Sequence, residues 1–319
     1  MTLKLMADIQ VPTPGDGATE SEIAYATCIF GSESNPFKGT FDGNGYTISG
    51  LWYHEVWNTP KADTGLFAAT DGAVIENLTI ESADIESDMR GGIVVGYASN
   101  TLFNHVTVKN SALSVAAADN VLLIGTDLGI RGGGIAGQIN ESVMYDCEVN
   151  NCWIRSNNTS GVAALAGKPL TLGGLVGCAE GSTIEYSRVI GDTPYDENAP
   201  TGLAAAGTDT GKTLIKIYYD VAVGAVGGNT LYVGGIAGRI WSDDNGDGDK
   251  GTAIIDCFST AEMNYYCATY VSVLGVNVGH IGGITAEVWD DNCSITRCHY
   301  AGRATSYQYN GALSGICKI

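Results

Sequence analysis

One short word recurs along this chain, and it limits what the chain can become. Its clearest copy is Gly234-Gly235-Ile236-Ala237-Gly238. It returns as Gly91-Gly92-Ile93-Val94-Val95-Gly96, Gly133-Gly134-Ile135-Ala136-Gly137, Gly173-Gly174-Leu175-Val176-Gly177 and Gly282-Gly283-Ile284-Thr285-Ala286. Looser copies are Thr64-Gly65-Leu66-Phe67-Ala68 and Asn310-Gly311-Ala312-Leu313-Ser314-Gly315. The intervals between copies run from 27 to 61 residues. The shortest define a basic unit of 27–29 residues, and the longer ones carry insertions. A period of this size in a β-prone chain predicts a solenoid of stacked repeats.

A second column holds the register. Leu78, Val106, Cys147, Ser187, Cys257 and Cys298 each sit in a short alternating run downstream of a glycine word. Two short strands per unit are expected, with this column as an inward-facing ladder of small and medium side chains. The glycines are expected at corners, where the chain needs positive φ or close approach between repeats. At the front, Asp42-Gly43-Asn44-Gly45 reads as a tight turn between two β-prone runs. The expected organisation is one all-β domain over 1–319: opening strands in 1–63, repeats in 64–319, and long inserted loops. The insertions at 109–131, 150–172 and 190–232 fall between a column strand and the next glycine word, so they should project from one side. The last copy stops at Ile319, an expectation of a piece of a longer chain, with head-to-tail association into a homopolymer as the alternative.

Composition excludes several functions. Apolar residues make up 45% of the chain, enough for a large core. No apolar run approaches the roughly 18 residues that span a bilayer, so membrane insertion is not expected. Met1-Thr2-Leu3-Lys4-Leu5-Met6 runs into Ala7-Asp8 without a signal-peptide core, which leaves the compartment undecided. A net charge of −19 repels nucleic acid and favours cations. The nine cysteines include no Cys-x-x-Cys pair and no zinc spacing. Those in the ladder read as small buried hydrophobes rather than redox or metal groups.

The glycine word followed by a strand ending in Asp-Cys or Arg-Cys resembles the GLUG-motif repeats of bacterial surface proteins. The run Asn35 to Leu51, with Pro36-Phe37-Lys38-Gly39-Thr40-Phe41-Asp42-Gly43-Asn44-Gly45, is similar to the segment that opens such arrays. The resemblance covers roughly 3–319. It implies a right-handed parallel β-helix, an extracellular or cell-surface location and an adhesin-like role. It carries over no catalytic residues, because the motif is structural.

The sharpest chemical candidate is the acidic loop Asp243-Asp244-Asn245-Gly246-Asp247-Gly248-Asp249. Oxygen ligands at alternate positions match the first half of a calcium loop, but the twelfth position is Ile254 rather than a bidentate acid. The next repeat offers a second acidic turn, Asp290-Asp291-Asn292. Stacked, the two turns would place Asp243, Asn245, Asp247, Asp249 and Asp291 at one edge for Ca²⁺. Trp241 and Trp289 head the two turns and form a candidate carbohydrate platform. The four histidines match no nucleophile or zinc motif, and Gly207-Thr208-Asp209-Thr210-Gly211-Lys212-Thr213 is too short for a phosphate loop. A glycosidase or lyase needs paired carboxylates; the candidates are Asp146 with Glu185, and Asp256 with its neighbours. The expectation is therefore a non-enzymatic module that presents loops to a protein or carbohydrate ligand or forms a stalk or fibre. A self-assembling filament subunit and a carbohydrate-active enzyme are the alternatives.

Overall fold

The computed structural model describes residues 1–12, 30–53, 63–87, 89–115, 129–158, 169–191, 213–219, 230–243, 250–267 and 278–308. Those residues are all-β, arranged in four sheets of 14, 6, 6 and 7 strands. Every strand pairing is parallel. Among the described residues no helix is long and apolar enough to cross a membrane.

The chain visits the sheets in a fixed order, pass after pass. A glycine sheet receives Arg90–Gly92, Ile130–Gly133, Leu170–Gly173, Thr230–Gly234 and Val278–Gly282. A second sheet follows at once, with Val95–Ser99, Ala136–Asn140, Val176–Glu180 and Ala237–Trp241. A wide third sheet takes Leu102–Lys109, then the split pairs Val143–Tyr145 with Glu148–Asn150 and Thr183–Glu185 with Arg188–Ile190. A fourth sheet holds Asp84–Ser87, Ala112–Val115, Trp153–Asn158, Leu214–Tyr219 and Glu262–Cys267.

The fourth sheet corrects the expectation of two strands per unit. Ala112-Leu113-Ser114-Val115, Trp153-Ile154-Arg155-Ser156 and Leu214-Ile215-Lys216-Ile217 lie inside stretches read as insertions. They alternate, and Leu113, Ile154 and Ile215 are fully buried. Leu113 and Ile154 each follow a ladder residue by 7 positions, but Ile215 follows Ser187 by 28, which hid the common register that pairing reveals: Leu113 with Ile154, and Ile154 with Ile215. The projection of 116–128, 159–168, 192–212 and 220–229 lies outside the described residues.

The Asp42–Gly45 turn is also corrected. Thr40–Asp42 and Thr47–Ser49 do not pair with each other as a hairpin. Both lie parallel to Val74–Glu81, the first along Val74 to Glu76 and the second along Thr79 to Glu81. The turn is a protruding kink within one pass.

Kinks of this kind organise the core. In Val74–Glu81 the buried residues are Ile75, Leu78 and Ile80, a break in strict alternation. Asn77 lies between them in the left-handed region at φ 51°. One left-handed residue shifts the phase, so both halves of the strand face inward. The same step occurs at His105, Asp146, Tyr186, Asp256 and Arg297, each just before a ladder residue. Leu78, Val106, Cys147, Ser187 and Cys257 are buried as expected, and Cys298 is half-buried. Of the twelve non-glycine left-handed residues described, five are Asn and two Asp. These side chains tolerate that conformation best.

Most of the kinks leave a backbone N–H without a strand partner, and the equivalent side chain in the next pass accepts it. Thr101 N donates to Ser142 Oγ at 3.0 Å, Ser142 N to Ser182 Oγ at 3.0 Å, and Ser182 N to Thr252 Oγ1 at 3.3 Å. Each acceptor then donates to a nearby carbonyl, as Ser142 does to Asn140 O and Ser182 to Glu180 O, both at 2.7 Å. The cysteine column follows the same rule: Cys147 N donates to Ser187 Oγ at 3.0 Å, and Cys257 Sγ to Ile255 O at 3.2 Å. A third column runs through Ser111, Cys152 and Thr213. The ladder cysteines are thus hydroxyl substitutes that cap backbone groups, a role beyond that of a small hydrophobe.

The motif glycines serve close approach rather than positive φ. The described glycines with positive φ are Gly31, Gly45, Gly50, Gly72 and Gly181, none of them in the repeated word. A Cβ on Gly137 would sit 2.7 Å from Gly91 N and 2.7 Å from Gly96 O, backbone atoms of the preceding pass.

Two substitutions separate these roles. Ser182→Ala strands a buried N–H and is expected to cost about 1–3 kcal/mol, whereas Ser182→Thr keeps the acceptor and most of the stability. Thermal unfolding followed by circular dichroism checks the order. Gly137→Val forces backbone apart and is expected to lower stability by at least about 1–3 kcal/mol. In the same assay, an unfolding midpoint equal to that of the parent chain would refute the close-approach reading.

Candidate functional site: a polar seam at the glycine bend

The glycine word turns the chain sharply from the glycine sheet into the second sheet. Residues flanking the bend therefore face each other, seven positions apart in every pass from Arg90 and Tyr97 to His280 and Glu287. On the glycine sheet they stack as Asp63, Arg90, Arg131, Thr171, Tyr232 and His280. On the second sheet they stack as Ala69, Tyr97, Gln138, Cys178, Arg239 and Glu287. The apolar core lies on the other face of both sheets, where Leu172, Val233, Ile139 and Ile240 are buried.

These outward residues form a seam rather than an open surface. Arg90 is 2% exposed and Arg131 8%. Arg90 pairs with the buried Asp63 through two hydrogen bonds, reaches Glu33 at 3.2 Å, and lies over the Tyr97 ring at 4.3 Å. Arg131 donates to Gln138 Oε1 and lies 5.5 Å from the Trp241 ring centre. Thr171 and Cys178 are small and fully buried, so Trp241 reaches Arg131 across their level. Arg239 pairs with Glu287 and lies over Tyr232 at 4.5 Å, Trp241 at 5.3 Å and Trp289 at 5.3 Å. Tyr232 Oη donates to Glu287 Oε1 at 3.2 Å, and His280 stacks on the Tyr232 ring at 4.9 Å.

Burial sets the ionisation of the seam. It pushes Asp63 above its ordinary 3.8, outweighing the opposite pull of Arg90. It pushes Glu180 above 4.5, against the hydrogen bond from Trp241 and the charge of Arg131. Burial also raises the Cys178 thiol.

The two tryptophans singled out from the sequence come together here. Trp289 N donates to Ile240 O at 3.0 Å, which places Trp289 beside Trp241 on the neighbouring pass. Trp289 is 65% exposed. Of the calcium candidates, Asp243 is buried, and its N–H donates to Lys250 O at 3.0 Å across the base of the acidic loop. Asp291 is exposed. Asn245, Asp247 and Asp249 lie outside the described residues. Asp290 ties the two turns together, because its Oδ2 accepts from Ser242 N and Ser242 Oγ, both at 2.8 Å. Among the described residues no group of three or more His, Cys, Asp or Glu is placed to hold a metal ion.

Of the proposed carboxylate pairs, Asp146 and Glu185 lie on adjacent passes, where Asp146 N donates to Glu185 O at 3.1 Å. Asp146 Oδ2 lies 3.1 Å from His105 Nε2, and Tyr145 rather than Asp146 is in register with Glu185. Asp256 is held by Arg297 through two hydrogen bonds of 2.6 Å.

The seam was missed in the sequence although it leaves a signal there. Arg131-(Gly-Gly-Gly-Ile-Ala-Gly)-Gln138 and Tyr232-(Val-Gly-Gly-Ile-Ala-Gly)-Arg239 carry polar or aromatic residues on both flanks of the word. Nothing in the periodicity says that those flanks meet.

No model of a known protein family matches the sequence, and no curated protein matches it.

The pKa directions give a pH profile. Asp63 and Glu180 bind protons more tightly in the folded state, so their ionisation costs stability as pH rises above 3.8 and 4.5. Asp42, Asp71 and Asp256 are held below 3.8 by Lys4, Lys38 and Arg297, so their contribution is lost as pH falls below that value. Stability is expected to peak in mildly acidic solution. Glu180→Gln should raise the unfolding midpoint at pH 7–8 and leave it unchanged near pH 4; a shift of equal size at both ends would refute the assignment.

Proposed function

We propose that this chain is a right-handed parallel β-helix of the GLUG-repeat type and a non-enzymatic module of a bacterial cell surface. Parallel strands joined by crossovers are right-handed in about 98% of cases, which supports the handedness. The fixed order of sheets and the in-register pairing of successive passes support the helix.

The observation that carries the non-enzymatic reading is how the acids are engaged. Asp63 is committed to Arg90, Glu287 to Arg239 and Tyr232, Asp256 to Arg297, and Asp146 to His105. A glycosidase needs two carboxyls facing a sugar about 5–10 Å apart, one of them free to donate a proton. The aromatic surface stays open instead: Trp289 is 65% exposed, Tyr186 48% and Tyr145 39%. Exposed indole beside guanidinium and acid suits the apolar face and hydroxyl rim of a neutral sugar. The ligand is accordingly a carbohydrate at the Trp241–Trp289 edge, with Ca²⁺ at the adjoining acidic loop.

A filament subunit is the second reading. Among the described residues Ser294–Thr296 and Val278–Gly282 each end their sheets, and Ile281, Ile284 and Ile295 are half-buried where earlier equivalents are fully buried. Such edges pair with further strands.

Glycan-array binding with and without Ca²⁺ tests the first reading. Trp289→Ala is expected to weaken binding by about tenfold or more, with unchanged circular dichroism. Release of shortened or unsaturated sugars from a polysaccharide would overturn the non-enzymatic assignment. Fibres in electron micrographs at neutral pH, with no glycan bound, would favour the filament.

A further inference from the structure

Nine cysteines are spread over the chain, yet among the described residues one pair stacks sulfur on sulfur. In the kink column Ser187 separates Cys147 from Cys257, but Cys257 is followed directly by Cys298. Cys152 is followed by Thr213, and Cys178 lies between Gln138 and Arg239. The register around Cys257 and Cys298 is fixed on both sides, by Ile255 with Thr296 and by Phe258 with His299. His299 N donates to Cys257 O at 2.9 Å, which locks the two passes together at this point.

Paired parallel strands lie about 4.8 Å apart, within the Cα separation of about 4.4–6.8 Å that a disulfide spans. Both side chains face the same way, because both follow a left-handed residue, Asp256 or Arg297. Those two residues form a bidentate ion pair just outside the sulfurs and clamp the kinks in register. Cys257 is 1% exposed, whereas Cys298 is half-buried and open to small reagents. Cys298 Sγ lies 3.3 Å from Thr296 O and 3.4 Å from Ile254 O, so the sulfur sits at the interface of the two passes.

We infer that Cys257 and Cys298 form a reversible disulfide that staples the last described pass onto the one before it. A low-molecular-weight disulfide such as oxidised glutathione is the oxidant. The Cys298 thiolate attacks one sulfur of that disulfide and expels the other half as a thiolate, leaving a mixed disulfide on Cys298. The Cys257 thiolate then attacks Cys298 Sγ and expels the second half. Two protein thiols are oxidised, one disulfide is reduced to two small thiols, and two protons go to the leaving thiolates or to water. Cys298 is the natural first nucleophile: contact with the Cys257 thiol lowers its pKa, while that of the buried Cys257 is raised.

The staple acts on a pass less buried than the one before it. Ile281, Ile284, Ile295 and Tyr300 are only partly buried, whereas Val233, Ile236, Ile254 and Ser259, their equivalents in the preceding pass, are fully buried. Peeling it away would separate residues 257 and 298, which the disulfide forbids.

The test uses the full chain, reduced and then treated with oxidised glutathione. Remaining thiols are blocked with iodoacetamide before non-reducing peptide mapping by mass spectrometry. The expected result is a Cys257–Cys298 cross-linked peptide and a rise of about 5–10 °C in the unfolding midpoint, reversed by dithiothreitol. Cys257→Ser and Cys298→Ser keep a hydroxyl in the kink column, as Ser187 does, so they are expected to fold and to show no rise. Persistent glutathionylation of Cys298, a bridge from Cys298 to another cysteine, or oxidation with no thermal shift would each overturn the proposal.

Discussion

Hydrogen bonding between consecutive passes, parallel and in register, carries the rest of this structure. Residues separated by one repeat sit one above another, so each position becomes a column. A column tolerates only side chains that stack on their own neighbours. Apolar columns such as Ile75, Phe103, Met144, Ile184 and Ile254 bury completely. The interior is continuous because pairing repeats the same inward positions at the strand spacing of about 4.8 Å.

The columns work only if both halves of each strand present apolar residues inward, and the left-handed kinks provide that. Most of the kinks leave a backbone N–H without a strand partner, at a depth where an unsatisfied group costs about 1–3 kcal/mol. Ser, Thr and Cys answer this need in the same way, by accepting from the neighbouring pass and donating to a carbonyl. One physical role therefore explains a column that looks chemically mixed, with Cys147, Ser187, Cys257 and Cys298 in succession. It also brings two sulfurs together by simple adjacency, which makes redox chemistry a by-product of a structural device.

The glycine bend creates the seam. Two sheets meet at an angle so tight that backbone from one pass lies against backbone from the previous one, with no room for Cβ. Their outward faces close on each other and bury arginines that a flat sheet would expose. A buried guanidinium is tolerable only with partners, and carboxylate, amide and aromatic faces supply them along the column. Where the seam opens toward Trp289, the same arrangement leaves an indole in solvent beside charged groups. That change from satisfied interior to open edge is the physical basis for placing ligand binding there.

Much of this was legible in the sequence. The repeated glycine word set the all-β class and the presence of repeats, because only Gly fits a bend with no room for a side chain. The ladder from Leu78 to Cys298 was countable, since its spacing from the word varies little where no loop intervenes. Trp241 and Trp289 could be placed side by side from their equal offsets. The fourth sheet was hidden because Ile215 lies 28 residues after its ladder residue Ser187, whereas Leu113 and Ile154 lie 7 after Val106 and Cys147, and pairing aligns all three. The Asp42–Gly45 turn looked like a hairpin because local turn chemistry does not distinguish reversal from a kink within a strand. The carboxylate partners were decided by register: Asp146 meets His105 and Asp256 meets Arg297, while Glu185 aligns with Tyr145. Sequence alone determined which residues repeat and which faces are apolar, because those follow from local periodicity. Tertiary structure decided which columns touch, because the angle between two sheets depends on how closely their backbones approach, and that closure brought Arg131 to Gln138 and Arg239 to Trp289.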